Sequence, residues 1–352
     1  ANQSWVTMKF IRATVLMLVT FLGAHSGHGQ GQESLIFELA ADARGAALGG
    51  AVMADLDSDV HGAGLNPCLI DTARQGDISI DYVDYFAGMG MTVVNYQLNP
   101  KGRWNMQLGS RFMNLGTFPG YDPAGNPTQD FQGGDQVIYF GTSSAIDSVW
   151  TIGAQGFIGS RHLNREVAGW AGLEAFVHAR WVARQLAMGM AITGAGHQWG
   201  LKGSQPTGAL PYNVQLALTK GFNNAPFRIY LKAHHLQTWD LAPPGTYDDT
   251  IDPITQEVVK NSTFKFGDQL MRHVTIGTAL SAGESMEIWF GFDYRRRTEL
   301  MATDRINGNG FSFGTQFQFG KFGVRIGRSR YHFAGASTHI GIRFNPRQFG
   351  RS

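Results

Sequence analysis

The sequence predicts an all-β fold: a transmembrane antiparallel β-barrel of about fourteen strands, preceded by an N-terminal plug or hatch. Three observations lead there. First, apolar side chains recur on every second position. In FSFGTQFQFGKFGVRIGRSRYHF (311–333), Phe311, Phe313, Phe317 and Phe319 alternate with Ser312, Gly314, Gln316 and Gln318, and a period of two is strand, not helix. Second, the 352 residues include 46 Gly and 12% aromatics but only 16% charged residues, with a mean hydropathy of −0.16. Soluble domains carry roughly 25% charge, whereas strands apolar on one face and polar on the other fit these values. Third, the connections sort by length. Short links fall at 99–101, 148, 183, 223–225, 282–284 and 320–321, and those between them, 116–134, 162–168, 196–211, 237–270, 297–308 and 332–334, are mostly longer. Outer-membrane barrels have short periplasmic turns and longer external loops; a sandwich has no reason to sort its connections by parity.

The chain opens with residues 1–7 as an upstream extension, then Lys9 and Arg12, an apolar run from Ala13 to Leu22, and the small residues Gly23, Ala24, Ser26, Gly27 and Gly29. This reads as a secretory signal within 1–29, cleaved near Gly29–Gln30, too short to span a bilayer. The next segment, 30–76, is rich in Ala, Gly and Asp and lacks alternation; Ala47-Leu48-Gly49-Gly50 and Leu65-Asn66-Pro67 suggest compact turns, hence a hatch folded into a lumen.

The barrel is expected over 77–345, with strands at 77–87, 89–98, 102–115, 135–147, 149–161, 169–182, 184–195, 212–222, 226–236, 271–281, 285–296, 309–319, 322–331 and 335–345. Most approach the ~9–11 residues a tilted strand needs to cross a bilayer. Val214, Leu216 and Leu218 alternate with Gln215, Ala217 and Thr219; Met286, Ile288, Phe290 and Phe292 with Glu287, Trp289, Gly291 and Asp293; Ile340, Ile342 and Phe344 with His339, Gly341 and Arg343. Closing the sheet places the polar faces, Glu287, Asp293, Arg325 and Arg343 among them, in a lumen and pairs every edge, as hydrocarbon requires. Residues 346–352 form a periplasmic tail.

A formal net charge of +2 gives no sustained phosphate-binding surface, so nucleic acid is not expected as a partner. The single Cys68 forms neither an internal disulfide nor a Cys-based zinc site by itself and is expected to be a small buried residue. Asp55, Asp57 and Asp59 begin like an EF-hand loop, but the sixth position is Val60 and the twelfth Asn66, where calcium loops need Gly and Glu; solvated turn carboxylates are expected. His234 and His235, read as adjacent strand residues, point to opposite faces and do not share a metal; the pair belongs at the rim, with Trp199 and Trp239 as interfacial aromatics. No G-x-S-x-G, H-E-x-x-H or G-K-[ST] pattern occurs, so neither catalytic residues nor a cofactor or metal are expected. Arg295, Arg296 and Arg297 close strand eleven on the external side, where they could meet lipopolysaccharide phosphates or a partner's carboxylates. The longest loop, 238–269, sets Asp248, Asp249 and Asp252 among Trp239, Tyr247, Phe264 and Phe266, a composition suited to a protein interface.

Two groups of residues carry a resemblance. Arg44-Gly45 with Gly49-Gly50, then Asn66-Pro67, resembles the N-terminal hatch of the FadL-like outer-membrane barrels, the PorV/PorQ branch above all. Residues 213–241, 268–280, 292–300 and 327–342 are similar to the PorQ family of the type IX secretion system. The likeness covers about 33–345; Cys68 stands where the family has Ala after Asn-Pro. It implies an integral outer-membrane barrel of a Bacteroidota-type bacterium. Its role would be non-enzymatic: anchoring a cell-surface attachment complex with PorU, PorV and PorZ, which processes cargo and links it to lipopolysaccharide. The alternative function is FadL-like passive transport of hydrophobic small molecules.

Overall fold

The computed structural model describes residues 35–70, 74–98, 102–202, 207–251, 258–259, 263–283, 285–300, 308–332 and 335–346, all within one compact unit, Glu33–Ser352. The expected signal, Asp252 and the tail beyond residue 346 lie outside them.

Fourteen strands form the wall. They are β1 (Ile78–Asp84), β2 (Gly90–Gln97), β3 (Trp104–Tyr121), β4 (Pro127–Ala145), β5 (Trp150–Leu163), β6 (Glu166–Trp181) and β7 (Leu186–Lys202). The second half runs β8 (Asn213–Phe222), β9 (Ala225–Ala233), β10 (Val274–Ser281), β11 (Met286–Asp293), β12 (Phe311–Phe319), β13 (Phe322–His332) and β14 (Gly335–Phe344). Each pairs antiparallel with its sequence neighbour, and β1 pairs with β14 from Ile78↔Phe344 to Asp84↔Thr338, which closes the barrel. Closure leaves no open edge, so the backbone can cross hydrocarbon. Among the described residues no helix is long and apolar enough to span a membrane.

The alternation sorts the faces as the sequence predicts. On β1, Ser79, Asp81 and Val83 are fully buried while Ile80 and Tyr82 are exposed. Phe290, Phe311 and Phe313 point outward and stay exposed, and Glu287, Trp289, Ser312 and Asp293 point inward and are buried. An exterior of uncovered large apolar side chains suits lipid, not water.

Strand length departs from expectation. β3 to β7 run 18, 19, 14, 16 and 17 residues, well beyond the ~9–11 that cross a bilayer, whereas β8 to β14 run 8 to 11. The stretch 116–134, read as a loop, is a tall hairpin: β3 and β4 continue to a tight turn at 122–126, with Phe118 stacked on Phe131 at 5.4 Å. The 162–168 loop likewise narrows to a turn between Leu163 and Glu166. Apolar alternation fades there because side chains such as Thr117, Gln129 and Gln132 are not sorted by a lipid face. All these extensions stand at the end that carries the longer connections.

The core lies inside the barrel, built around the N-terminal segment. Helix α1 (Leu35–Glu38) leads to α2 (Ala43–Ala47), whose N-cap Asp42 accepts from the Arg44 and Gly45 amides at 2.9 Å. Gly49 and Gly50 follow at φ 69° and 88°, a left-handed pair that only glycine adopts freely. Asn66 caps the 3-10 turn Pro67–Leu69 through Cys68 N at 2.9 Å and ties back to Met53 O at 2.8 Å. Irregular backbone in a barrel needs donors from elsewhere, and inward side chains supply them: Ser312 to Ala47 O (2.9 Å), Thr219 to Ala54 O (2.7 Å), Arg111 to Gly64 O (3.1 Å) and Asn105 to Ile70 O (3.2 Å). Gly291 and Gly327 let the segment's backbone lie against the wall; a methyl at Gly327 would strike the Ala43 carbonyl.

Two of the three loop aspartates are not solvated turn carboxylates. Asp55 and Asp59 are buried, the first paired with Arg44 and the second with Arg325 at 2.9 Å; only Asp57 is exposed, paired with Arg228. The positive charges they meet belong to inward strand positions and to Arg44, which no local loop pattern reveals.

Candidate functional site

A cavity of about 520 Å³ lies inside the barrel. Its floor is the N-terminal segment, including Leu39, Gly49, Val52 and Met53, and its walls come from strands on opposite sides. Every connection that reaches it (Tyr85, Leu210, His234, Arg295 and Leu300 are examples) belongs to the long-connection end, so it opens toward that end. Arg44 underpins the floor. Its guanidinium bonds Asp55 and Tyr230 (2.6 Å), lies 3.5 Å from Asp59 and 3.8 Å from Glu287, and sits 5.9 Å from the Trp289 ring.

Phe37, Leu39, Leu65, Val137, Phe157 and Leu210 give the cavity an apolar patch, beside which Arg111, Tyr139, Gln155 and Glu174 of β3 to β6 also line it. Phe37 packs on Phe157 and Trp170 at 5.3 and 5.9 Å between centroids. The other side is charged, with Lys232, Arg295 and Arg296 beside Asp293 and Glu299. Arg295 is paired with Glu299 at 2.9 Å and Arg296 with Asp293 at 3.2 Å. The Lys232 side chain makes no hydrogen bond or ion pair among the described residues. Burial, and then Lys232, His235, Arg295 and Arg296, hold the His234 imidazole well below its ordinary pKa. Glu174 stands across the cavity, accepting from Gln155 at 2.8 Å and from the Gly194 amide at 3.0 Å.

Of the six residues expected to mark a hatch, Gly45, Gly49 and Gly50 line the cavity, Arg44 belongs to α2, and Asn66 caps the turn that begins at Pro67. The arginine triplet does not close a strand. β11 ends at Asp293, whose carboxylate caps a short helix, α3 (Tyr294–Glu299), and the turn carries Arg295 and Arg296 to the cavity mouth while Arg297 is not among its lining residues. His234 and His235 do not diverge either. β9 ends at Ala233, His235 takes a left-handed φ of 56°, and the two Nδ1 atoms approach to 2.7 Å. The opposite-faces argument fails because the chain has left the strand. Among the described residues no group of three potential metal ligands forms.

The long loop is only partly a loop. It includes helix α4 (Lys265–Arg272), which enters β10 directly. Tyr247 donates to Asp268 Oδ2 at 2.7 Å, and Tyr294 donates to Asp268 Oδ1 at 2.8 Å. Trp239 stacks on His273 at 5.5 Å and meets Phe266 at 5.4 Å. Asp248 and Asp249 are exposed. Trp199 is half-buried against His197 on the β7 extension. Sequence reasoning missed Lys232, Glu174 and Arg111; their signal was a charge at an inward phase of an alternating strand, as in Arg228, Tyr230 and Lys232 against Ile229 and Leu231.

Comparison with solved structures places the fold. The toluene transporter TbuX of Ralstonia pickettii aligns over 88% of this chain and 99% of its own, at 11% identity and a TM-score of 0.51. The Pseudomonas putida toluene transporter TodX aligns over 86% and 96%, at 13% identity and 0.46. A Pseudomonas aeruginosa FadL homologue aligns over 87% and 98%, at 9% identity and 0.46. The likeness to TbuX shows the fold, a closed antiparallel β-barrel. No family model matches the chain. No curated protein matches it.

Proposed function

We propose that this chain is an integral outer-membrane barrel, with its long connections outside, that passively admits small molecules with an apolar body. The observation that carries this reading is the cavity of about 520 Å³, within the ~300–1,000 Å³ range of small-molecule sites. Its apolar patch suits an aromatic or alkyl body, and Lys232 suits an acidic or acceptor head. The N-terminal segment acts as the hatch that must shift for passage. TbuX, a toluene transporter of the same fold, is a precedent for that use of the barrel. The test is uptake of labelled toluene and of a labelled fatty acid by cells with and without the gene; equal uptake rejects transport.

A second reading has its own support. The hatch is held by buried ion pairs from Arg44 and Arg325, as suits a sealed scaffold, and of the PorQ-like stretches 268–273 and 294–300 lie at the long-connection rim. On this reading the barrel anchors a type IX attachment complex with PorU, PorV and PorZ and contacts lipopolysaccharide, using Trp239, Tyr247, Asp248, Asp249 and the arginine cluster. Affinity purification from outer membranes tests it: deleting 243–262 should leave a heat-modifiable barrel and abolish co-purification of the partner. Retained co-purification rejects that docking loop.

A further inference from the structure

Helix α4 is amphipathic in the reverse of the usual sense. Asp268, Gln269 and Arg272 share its buried face. Asp268 accepts from Tyr247, Tyr294 and Arg272 at 2.7–2.8 Å. Gln269 accepts from the Leu241 amide at 3.0 Å and donates to Asp240, and Arg272 lies 3.6 Å from Glu299. The opposite face presents Phe266 and Leu270, one turn apart, flanked by Phe264, Met271 and Trp239; Phe264 is 73% exposed and Phe266 58%. A water-facing helix puts its polar stripe outward; this one spends its polar side chains on the barrel rim.

What covers the apolar face follows from its position. α4 runs straight into β10 through His273, whose ring nitrogens lie 2.7 and 3.1 Å from the His234 and Trp239 carbonyl oxygens. Beside it Leu236, exposed, bonds through its amide to Val214 O of β8. Below, the exposed Leu216, Leu231 and Leu280 continue the exterior of β8, β9 and β10. The patch is thus the upper margin of the barrel's lipid-facing band. Aromatics with a basic residue, here Lys265 over the Tyr247 ring at 5.0 Å, are the composition of a bilayer interface.

We propose that helix α4, with Trp239 and Phe264, lies in the headgroup–hydrocarbon boundary of the leaflet around the long-connection end and anchors that rim to the membrane. The inference rests on the membrane-spanning barrel and is independent of what the cavity holds.

The experiment places nitroxides at F264C, F266C and L270C in a C68A background of the full chain, reconstituted in palmitoyl-oleoyl phosphatidylcholine vesicles, with F313C and D248C as lipid-facing and water-facing references. Heat-modifiability selects folded variants, and any one of the three sites suffices. The expected result is relaxation by oxygen exceeding that by a water-soluble nickel complex at the helix sites, as at F313C and opposite to D248C. Nickel accessibility equal to that of D248C overturns the proposal and shows a face open to water, as one awaiting a protein would be.

Discussion

Arg325 on β13 donates through Nη1 to Asp59 Oδ2 at 2.9 Å, joining the N-terminal segment to a wall strand 266 positions away, with both side chains largely buried. Arg44 lies 3.5 Å from the same oxygen and bonds Asp55 beside it. Removing one partner of such a group leaves the other charge buried and unpaired, at a cost of about 3–5 kcal/mol. R44A is therefore expected to release the segment while the strand ladder persists. Limited proteolysis should cut within 35–70 in the variant and not in the parent, with both still heat-modifiable on gels.

Two inward glycines of β13 make a controlled pair. At Gly327 a side chain meets Ala43 backbone; at Gly323 it meets only the flexible ends of Gln318 and Arg343. Overpacking costs about 1–3 kcal/mol where the neighbour is fixed. G327V should loosen the segment by the same proteolytic measure and G323V should not.

The rim hub at Asp268 has a defined pH window. Burial alone would raise its pKa, but hydrogen bonds from Arg272, Tyr247 and Tyr294 outweigh burial and hold it below the ordinary 3.8. A lowered folded pKa stabilises above the unfolded value, and that stabilisation is lost as pH falls through the folded one. Burial, with the bond to Asp268, pushes the Tyr247 phenol up to about 12 from 10.0, so its contribution holds below 10.0 and is lost as pH rises through about 12. The mobility of a nitroxide at F266C should stay constant between about pH 5 and 9 and rise on the acid side. D268N should be mobile at pH 7 and lack the acid transition.

Lys232 is the cation in the cavity whose charge no described side chain engages by hydrogen bond or ion pair. A charge-assisted hydrogen bond is worth about 1.5–3 kcal/mol, or roughly 10- to 150-fold in affinity. K232M should weaken binding of an aromatic carboxylate by about that factor and leave toluene binding unchanged, as read by isothermal titration in detergent.

The barrel was legible because lipid enforces a period of two: all fourteen strands, and the inward placing of Glu287, Asp293, Arg325 and Arg343, follow from alternation. Where lipid stops, the signal stops, so the upper ends of β3, β4 and β7 (116–121, 127–134 and 196–202) and those of β5 and β6 (162–163 and 166–168) read as loops. The aspartates' partners were hidden because a buried pair spanning 266 residues leaves no local pattern. The rim helix did leave one: Phe266 and Leu270 against Asp268 and Arg272 is a helical spacing, masked by the acidic loop before it. Arg295 to Arg297 were misplaced because the helix start set by Asp293 overrides the strand rhythm.

The hatch and cavity together are the central claim, and locking the hatch tests it. A Cβ at Gly189 would lie 3.2 Å from Ala54 Cβ, close to the ~3.5–4.5 Å of a disulfide. In cells carrying A54C with G189C and C68A, uptake of labelled toluene should fall to the level of the gene deletion and return on reduction. Uptake unchanged by the lock, or absent from the unlocked barrel as well, would contradict a hatch-gated conduit.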